Sequence, residues 1–236
     1  MMKHFFSVAT VFLILFFCTI NKTNAQSKYW VYGGALGATG YAGDLSTFPN
    51  PVDYRVGAKL FAKYKMKSYL LWRTDIDYGW YQGVGSIQDN LPEYKTEIHM
   101  GNASTGFEYN FLQFREDKRH KDNFTPYFFL QLGVGTFINK VSNPATGESY
   151  SDTAIAVTMP VGMGFKKRIS TYLDIGMEFS ITKPLWTDKT DGVYRSTESV
   201  AGLFVDESWR DNYYFLGVTL SYHLIRVNCP KTPRYQ

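Results

Sequence analysis

The sequence predicts an all-β protein, an eight-stranded antiparallel transmembrane up-and-down β-barrel with short periplasmic turns and longer extracellular loops. Three observations predict this fold: an export signal at the N-terminus, eight segments in which apolar and polar residues alternate, and connections that alternate between long and short. A membrane barrel strand needs about 9–11 alternating residues, and these segments have about that length.

The first residues have the organisation of a secretory signal peptide. Lys3 and His4 precede an apolar run over 5–18, and Thr23 and Ala25 occupy the −3 and −1 positions of a small-residue cleavage site. We therefore expect cleavage after Ala25 and export of the mature chain.

Two other interpretations of this segment are an uncleaved anchor and a lipoprotein signal. The apolar run is shorter than the roughly 20 residues of a spanning helix. Cys18 follows two phenylalanines, where a lipoprotein signal requires small residues. We therefore expect a signal peptide over 1–25, a barrel over 26–227 and a periplasmic tail over 228–236.

Composition argues against two other classes of protein. Mean hydropathy is −0.24, and no apolar run of about 18 residues follows the signal, which argues against a helical membrane protein. Removing Lys3 and Lys22 from the 25 Lys and Arg leaves 23, against 21 Asp and Glu. This near-neutral mature chain lacks the clustered basic excess of a nucleic-acid binder.

Four segments alternate strictly, with a period of two rather than 3.6 residues. In the second of them, Leu70, Trp72 and Ile76 lie on one face, and Arg73 and Asp75 lie on the other. The four segments are 55–66, 70–80, 172–182 and 213–224.

Four further segments alternate less regularly and complete the predicted barrel. They are 29–41, 97–111, 126–139 and 153–165. The last contains Pro160, which lacks the N–H that a strand ladder needs, so we expect a bulge or a locally frayed edge there.

The connections predict the orientation of the barrel. Tight turns fall near 65–68 and 166–170, and long polar links fall at about 42–53, 82–95, 140–152 and 183–211. Outer-membrane barrels have short periplasmic turns and long outer loops. An even number of strands then places both termini in the periplasm.

The connection over 113–123 is long and charged for a periplasmic turn. Its basic residues are Arg115, Lys118, Arg119 and Lys121. A charge run of this kind is commonly a solvated loop, and the functional alternative is a docking surface for a periplasmic partner.

Inward-facing residues predict a filled, polar interior. A tight hairpin about Lys67 would place Lys59 opposite Asp75, and unlike charges on one face stabilise such a pair. Glu97, Glu108, Asp174 and Glu178 are expected acidic partners of Arg55, Lys63 and Arg73. The charges assigned to the interior are Lys59, Arg73, Asp75, Asp77, Glu108, Asp174 and Glu178. Because eight strands leave room for side chains and little else, these charges predict a salt-bridged plug rather than a channel.

The sequence offers no convincing catalytic, cofactor or metal site. The mature chain has three histidines, His99, His120 and His223. His223 shares a strand face with Ser221, but a triad requires a geometry that this spacing does not encode. We therefore predict that the protein is not an enzyme and needs no cofactor.

Cys229 is the only cysteine of the mature chain. An odd cysteine in an exported protein indicates an intermolecular disulfide or an unpaired thiol. The oxidising periplasm permits the disulfide.

Several motifs, in order along the chain, resemble the PorG-like outer-membrane barrels of Bacteroidetes. Gly43-Asp44-Leu45 ends a segment similar to that family's Y-x-G-D-L signature. The other similar segments are Glu108-Tyr109-Asn110-Phe111, Thr125-Pro126-Tyr127, Met159-Pro160-Val161-Gly162-Met163-Gly164 and Cys229-Pro230-Lys231.

The resemblance implies a role in type IX protein secretion and in the gliding motility linked to it. A PorG-like barrel is expected to hold a periplasmic ring of a PorK-like lipoprotein and a PorN-like subunit. Arg115, Lys118, Arg119, Lys121 and Cys229 would form the contact, with Cys229 in a disulfide to a ring subunit. The alternatives are a membrane-stabilising or adhesion barrel that acts through its outer loops, and, more remotely, a lipid-modifying enzyme that uses His99 or His223.

Overall fold

Eight antiparallel strands form a closed barrel in sequence order. The computed structural model describes residues 30–42, 53–85, 94–112, 124–142, 147, 149–170, 172–185, 190 and 211–224. The predicted signal peptide over 1–25 and the tail over 228–236 lie outside these residues. No helix in the described part of the chain is long and apolar enough to span a membrane.

Each strand pairs with the next along the chain, and the last strand closes the barrel by pairing with the first. The fold class predicted from the sequence is confirmed, and each of the eight alternating segments is a strand. The strands are β1 Trp30–Ala42, β2 Arg55–Lys65, β3 Leu70–Gly85, β4 Tyr94–Asn110, β5 Phe124–Ser142, β6 Ser149–Ser170, β7 Leu173–Leu185 and β8 Asn212–Leu224.

Alternation along each strand decides which side chains enter the barrel. In β7, Asp174 and Glu178 are buried inside, whereas Ile175, Met177 and Phe179 are exposed on the outer face. The same order holds in β8, where exposed Leu216, Val218 and Leu220 alternate with buried residues. The protein is therefore inside-out relative to a soluble barrel, because its apolar side chains face outward and its charged side chains face inward.

The strands extend further from the apolar band than the sequence predicts. Residues 82–85 of β3 pair with 94–97 of β4, and 140–142 of β5 pair with 149–151 of β6. The links predicted at 82–95 and 140–152 are correspondingly shorter. In these stretches the backbones of the two strands continue to pair, although most of the residues are polar. The ladder of backbone hydrogen bonds therefore extends beyond the apolar pattern from which the strands were predicted.

The turn between β2 and β3 lies one residue later than predicted. Residues 66–69 connect the strands, and the amides of Met66 and Lys67 both donate to the carbonyl of Leu70. This turn places Lys59 opposite Asp77. The predicted pairing of Lys59 with Asp75 is therefore wrong, because the partner is the next inward-facing residue of β3. A two-residue change in register keeps both side chains on the inner face.

The predicted tight turn at 166–170 is also displaced. Lys166 and Arg168 belong to β6, where they pair with Gly176 and Asp174 of β7, and the ladder shifts register between Arg168 and Ser170. The strand reversal therefore follows Ser170. Lys166 and Arg168, which the sequence places in a turn, therefore continue the alternation of inward-facing and outward-facing side chains along β6.

Pro160 interrupts pairing without forming a bulge. The ladder between β5 and β6 joins Leu130 to Val161 and resumes at Gly133 and Thr158, in unchanged register. On the other side, Pro160 remains opposite Thr182 of β7. The missing N–H therefore costs a local gap in one ladder, as expected from the chemistry of proline.

The barrel has two chemically different ends. We call the end that contains Trp30 and Leu224 the terminus end, and the end that contains Ala42 and Asn212 the loop end. Inside, ion-paired side chains fill the half near the terminus end. A cluster of mainly aromatic and aliphatic residues fills the half near the loop end.

Candidate functional site

The ion-paired half of the lumen is built by inward positions of five strands. β2 and β3 supply most of its charged residues, and β4, β6 and β7 supply one each. Alternation alone places these side chains inside, because each belongs to the parity that faces the lumen. The buried charges of this network are Lys59, Lys63, Arg73, Asp75, Asp77, Glu108, Lys166 and Glu178.

Arg73 lies at the centre of the network and is fully buried. Its Nη2 is 2.7 Å from Asp75 Oδ2, and its Nη1 is 2.8 Å from Glu178 Oε2 and 3.3 Å from Glu108 Oε2. Its guanidinium also lies 4.1 Å from the centroid of the Phe129 ring. Arg73 thus joins carboxylates from three different strands across the lumen.

The two glutamates of the network have further cationic partners. Glu108 lies 2.6 Å from the ammonium of Lys63 and 2.7 Å from that of Lys166. Glu178 lies 3.3 Å from the ammonium of Lys59. Every one of these side chains is therefore held by at least one opposite charge.

The network is balanced in charge and densely bonded. Four cations face four carboxylates, Tyr127 donates to Glu178 at 3.0 Å, and Lys59 donates to Ser180 at 2.6 Å. Asp77 accepts a hydrogen bond from Asn102 at 3.0 Å. Burying an unpaired charge would be very costly, and this mutual pairing is what makes a charged interior possible.

An aromatic cluster closes the lumen at the loop end. The ring of Tyr213 lies 5.0 Å from that of Tyr81, 5.1 Å from that of Phe137 and 5.5 Å from that of Tyr41. Ile98 is fully buried beside them. Both halves of the lumen are thus occupied by side chains, as an eight-stranded barrel requires.

A smaller ion-paired group lies at the terminus end. His223 Nε2 is 2.5 Å from Asp174 Oδ2, and Arg168 Nε donates to Asp174 Oδ1 at 3.1 Å. Asp174, which the sequence assigned to the interior, is therefore inside but separate from the network around Arg73. It joins β6 to β8 across β7.

The predicted interior residues lie where the alternation placed them. Lys59, Arg73, Asp75, Asp77, Glu108, Asp174 and Glu178 are all buried. Glu97 was expected to be an interior partner, and that expectation is wrong. It lies at an outward position of β4 and pairs with Lys95 at 2.6 Å, with both side chains about one-third exposed. Arg55, for which an acidic partner was expected, donates instead to the side-chain amide oxygen of Gln82.

Lys166 is a charge of the network around Arg73 that sequence reasoning missed. It is assigned to a turn when the apolar pattern of β6 is taken to end at Phe165. The parity of buried Thr158 and Gly162, extended by four residues, would have placed it inside. Its role as a partner of Glu108 depends on register, which the sequence does not supply.

Each of the two described histidines has a side-chain partner. His99 faces outward, where a hydrogen bond of 2.9 Å joins its Nδ1 to the hydroxyl of Tyr78. His223 faces inward and is paired with Asp174, which Arg168 also binds. His120 lies outside the described residues. In the described part of the chain, no group of three or more His, Cys, Asp or Glu side chains could hold a metal ion.

The partner-binding residues predicted from the sequence are not described by the structure. Arg115, Lys118, Arg119, Lys121 and Cys229 all lie outside the described residues. The neighbouring parts of the terminus end are described. Lys67 and Lys167 are exposed there, and Lys65 and Arg168 are half-buried.

The outer face carries an apolar band with aromatic residues at the terminus end. The Trp72 and Phe107 rings meet edge to face at 5.0 Å, and the Trp30 and Tyr64 rings are also 5.0 Å apart. A groove of about 790 Å³ crosses the outer face of β1 beside Gly34. Such a surface suits lipid, because aromatic residues concentrate where acyl chains meet headgroups.

Three solved structures are similar to this chain in their barrel fold. Ail, the attachment invasion locus protein of Yersinia pestis, is 10% identical, with a TM-score of 0.47 over 84% of this chain and 100% of that chain. The outer membrane protein OprG from Pseudomonas aeruginosa is 12% identical, with a TM-score of 0.48 over 85% and 97%. Neisserial surface protein A is 12% identical, with a TM-score of 0.45 over 82% and 96%.

A family model also matches most of the chain. It is described as a domain of unknown function, DUF6089, and it covers residues 9–231. No curated protein matches the sequence.

Proposed function

The chain belongs to the DUF6089 family, and on that premise we propose that it is a non-enzymatic outer-membrane barrel that anchors type IX protein secretion machinery. Its loop end faces the exterior and its terminus end faces the periplasm. There it docks a ring of a PorK-like lipoprotein and a PorN-like subunit.

The filled lumen is the observation that carries this proposal. The network around Arg73 occupies one half, and the cluster around Tyr213 occupies the other. A solute cannot pass through such a lumen, so we assign the function to the surfaces at the two ends of the barrel. This favours an anchor over a porin, whose larger barrel would enclose an aqueous channel.

The charge of the terminus end supports a docking role. Lys67 and Lys167 are exposed there, whereas the described carboxylates of this end, Glu108 and Asp174, are buried in ion pairs. The sequence adds the basic residues of 113–123 on the same side. A positive surface of this kind favours association with a partner that presents carboxylates.

The resemblance to PorG-like barrels supports the identity of that partner, and Cys229 supplies the thiol for a covalent link. We propose a disulfide between Cys229 and a ring subunit. Non-reducing electrophoresis of membranes should show a band of higher mass that reductant and Cys229→Ser both remove. A monomer band that reductant leaves unchanged would refute the disulfide.

Co-purification tests the anchor itself. A tagged barrel, solubilised in detergent from the outer membrane, should retain the two ring proteins. Arg119→Glu combined with Lys121→Glu should reduce their recovery several-fold, because like charges then oppose the partner. Arg195→Glu, in the link between β7 and β8, is the matched control and should retain both. Equal recovery from all three forms would contradict docking through the charged turn.

A second candidate is an adhesion or membrane-stabilising barrel that acts through its outer loops. One observation favours it: Asp211, directly before β8, accepts hydrogen bonds from the hydroxyls of Tyr41 and Thr190. Tyr41 belongs to β1 and Thr190 to the link between β7 and β8, so these bonds hold that link against the barrel. This function would survive Cys229→Ser and would be lost when the link between β7 and β8 is shortened.

A further inference from the structure

An ordered group of aromatic and basic side chains lies on the barrel at the loop end, apart from the docking end. The guanidinium of Arg55 lies 5.4 Å from the centroid of the Trp80 ring. The His99 ring stacks on Trp80 with the centroids 5.8 Å apart and the planes 15° from parallel. Tyr78 fixes His99 through the 2.9 Å hydrogen bond to its Nδ1.

The positions of these residues place them at the upper border of the apolar band. Below Tyr78 on the same face of β3 is Ile76, which is 64% exposed. On β5, exposed Leu132 and Val134 continue the band at the same level. A lipid chain that follows these three side chains would bring its headgroup to Trp80 and His99.

Charged residues border the group on its other side. Glu97 lies opposite Lys140 of β5 in the ladder and forms an ion pair with Lys95 at 2.6 Å. Lys140 is exposed. We call Arg55, Tyr78, Trp80, Lys95, His99 and Lys140 the Trp80 patch.

The Trp80 patch is positively charged even when its neighbouring carboxylates are counted. Three cations, Arg55, Lys95 and Lys140, stand against Glu97 and against Asp53, which accepts a hydrogen bond from Gln82 at 3.4 Å. His99 Nε2 has no hydrogen bond to any described residue, and it carries the ring proton when the Tyr78 hydroxyl donates to Nδ1. A ligand can therefore receive a hydrogen bond from His99 and a charged hydrogen bond from the exposed Lys140.

The aromatic residues at the terminus end differ from this patch. There Trp72 packs on Phe107 and Trp30 packs on Tyr64, without a stacked histidine or arginine. Tryptophan and tyrosine alone are ordinary at both borders of a membrane barrel. At the loop end, an arginine and a hydrogen-bonded imidazole both lie against a border tryptophan, and the exposed Lys140 follows one inward-outward repeat further along the border; this combination is what indicates a specific ligand.

We propose that the Trp80 patch binds the phosphate headgroup of an anionic lipid in the leaflet that borders the loop end. The phosphate contacts Lys140 and His99, and the acyl chains lie along Ile76, Leu132 and Val134. Basic side chains at a membrane border recognise anionic headgroups in this way. The proposal requires that the barrel span a membrane, and it does not depend on a role in secretion.

Native mass spectrometry of the full-length mature barrel in detergent tests this binding. Dimyristoyl phosphatidic acid and dimyristoyl phosphatidylcholine are added in turn, so that only the headgroup differs. The barrel should retain the phosphatidic acid about tenfold better, which is the scale of one charge-assisted hydrogen bond. Equal retention of the two lipids would overturn the proposal.

Two variants locate the site. Lys140→Gln and His99→Ala should each reduce retention of phosphatidic acid several-fold. Lys167→Gln is the control, because it removes an exposed lysine from the outer face at the terminus end. Heat-modifiable migration in electrophoresis confirms that each variant is folded. A loss in Lys167→Gln equal to that in Lys140→Gln would overturn the assignment.

Inorganic phosphate distinguishes a lipid site from a free-anion site. At concentrations matched to the lipid, it should not displace phosphatidic acid, because the acyl chains contribute to binding along the band. Displacement at matched concentration would show that the patch takes a free anion, and it would refute the lipid assignment.

Discussion

Arg73 on β3 and Glu178 on β7 meet in the middle of the lumen, with Nη1 2.8 Å from Oε2. Three strands lie between β3 and β7 in either direction around the barrel, and Phe129 and Tyr127 pack around the pair. This cross-lumen contact joins opposite walls of the barrel. It makes the charged network a structural element as well as an obstruction.

Breaking this contact should destabilise the barrel. Glu178→Gln leaves part of the charge of Arg73 and Lys59 uncompensated, and loss of one partner from a buried ion pair costs about 3–5 kcal/mol. We expect the urea midpoint for unfolding from lipid vesicles to fall accordingly.

The control for this experiment is Glu97→Gln, which breaks the exposed ion pair with Lys95. An exposed pair contributes about 1 kcal/mol or less. If the two variants shift the midpoint equally, the network around Arg73 does not hold the barrel together.

The filled lumen predicts that the protein does not conduct ions. The aromatic cluster and the ion-paired network block the lumen in series, so opening one layer leaves the other in place. Wild-type protein and Phe137→Ala should both be silent in planar bilayer recordings. Regular conductance steps from the wild-type protein would show that the side chains leave an open path.

Two glycines of β4 should respond differently to a larger side chain. A Cβ on Gly106 would overlap the carbonyl oxygen of Leu130 and the Cα of Gln131, whereas a Cβ on Gly101 would meet nothing within 4 Å. Gly106→Val should therefore reduce the folded, heat-modifiable fraction, and Gly101→Val should leave it unchanged. Equal yields would mean that β4 and β5 can separate at Gly106 at little cost.

The hydrogen bonds of Asp211 should control access to the longest link. Asp211→Ala removes the acceptor for Tyr41 and Thr190. Trypsin should then cleave several-fold faster at Arg195, which lies in that link. Asp152→Ala, at the loop end of β6, is the control and should leave the rate unchanged. A rate unaffected by Asp211→Ala would show that other contacts hold the link.

The sequence predicted the strands and the interior far better than the contacts between them. Alternation is a local property of each strand, so Asp75 and Glu178 could be placed inside without any knowledge of their neighbours. Register depends on where a turn reverses, and a shift of one residue at Met66–Tyr69 gave Lys59 the wrong partner. Lys166 was missed because its strand continues beyond its apolar pattern.

The Trp80 patch could not be predicted from the sequence for a related reason. Arg55, Trp80 and His99 come from three strands, and only the ladder positions bring their side chains together. Each residue alone has the appearance of an ordinary border residue. Glu97, assigned to the interior by its charge, belongs to the border of this patch.

The orientation of the barrel is the central claim, because a docking role requires the terminus end to face the periplasm. Ser149 and Ser170 are exposed at opposite ends of β6, so cysteines at these two positions report on opposite sides of one strand. In a Cys229→Ser background, a membrane-impermeant maleimide should label Ser149→Cys on intact cells. It should label Ser170→Cys only after the outer membrane is permeabilised. Labelling of Ser170→Cys on intact cells, with Ser149→Cys protected, would contradict the account.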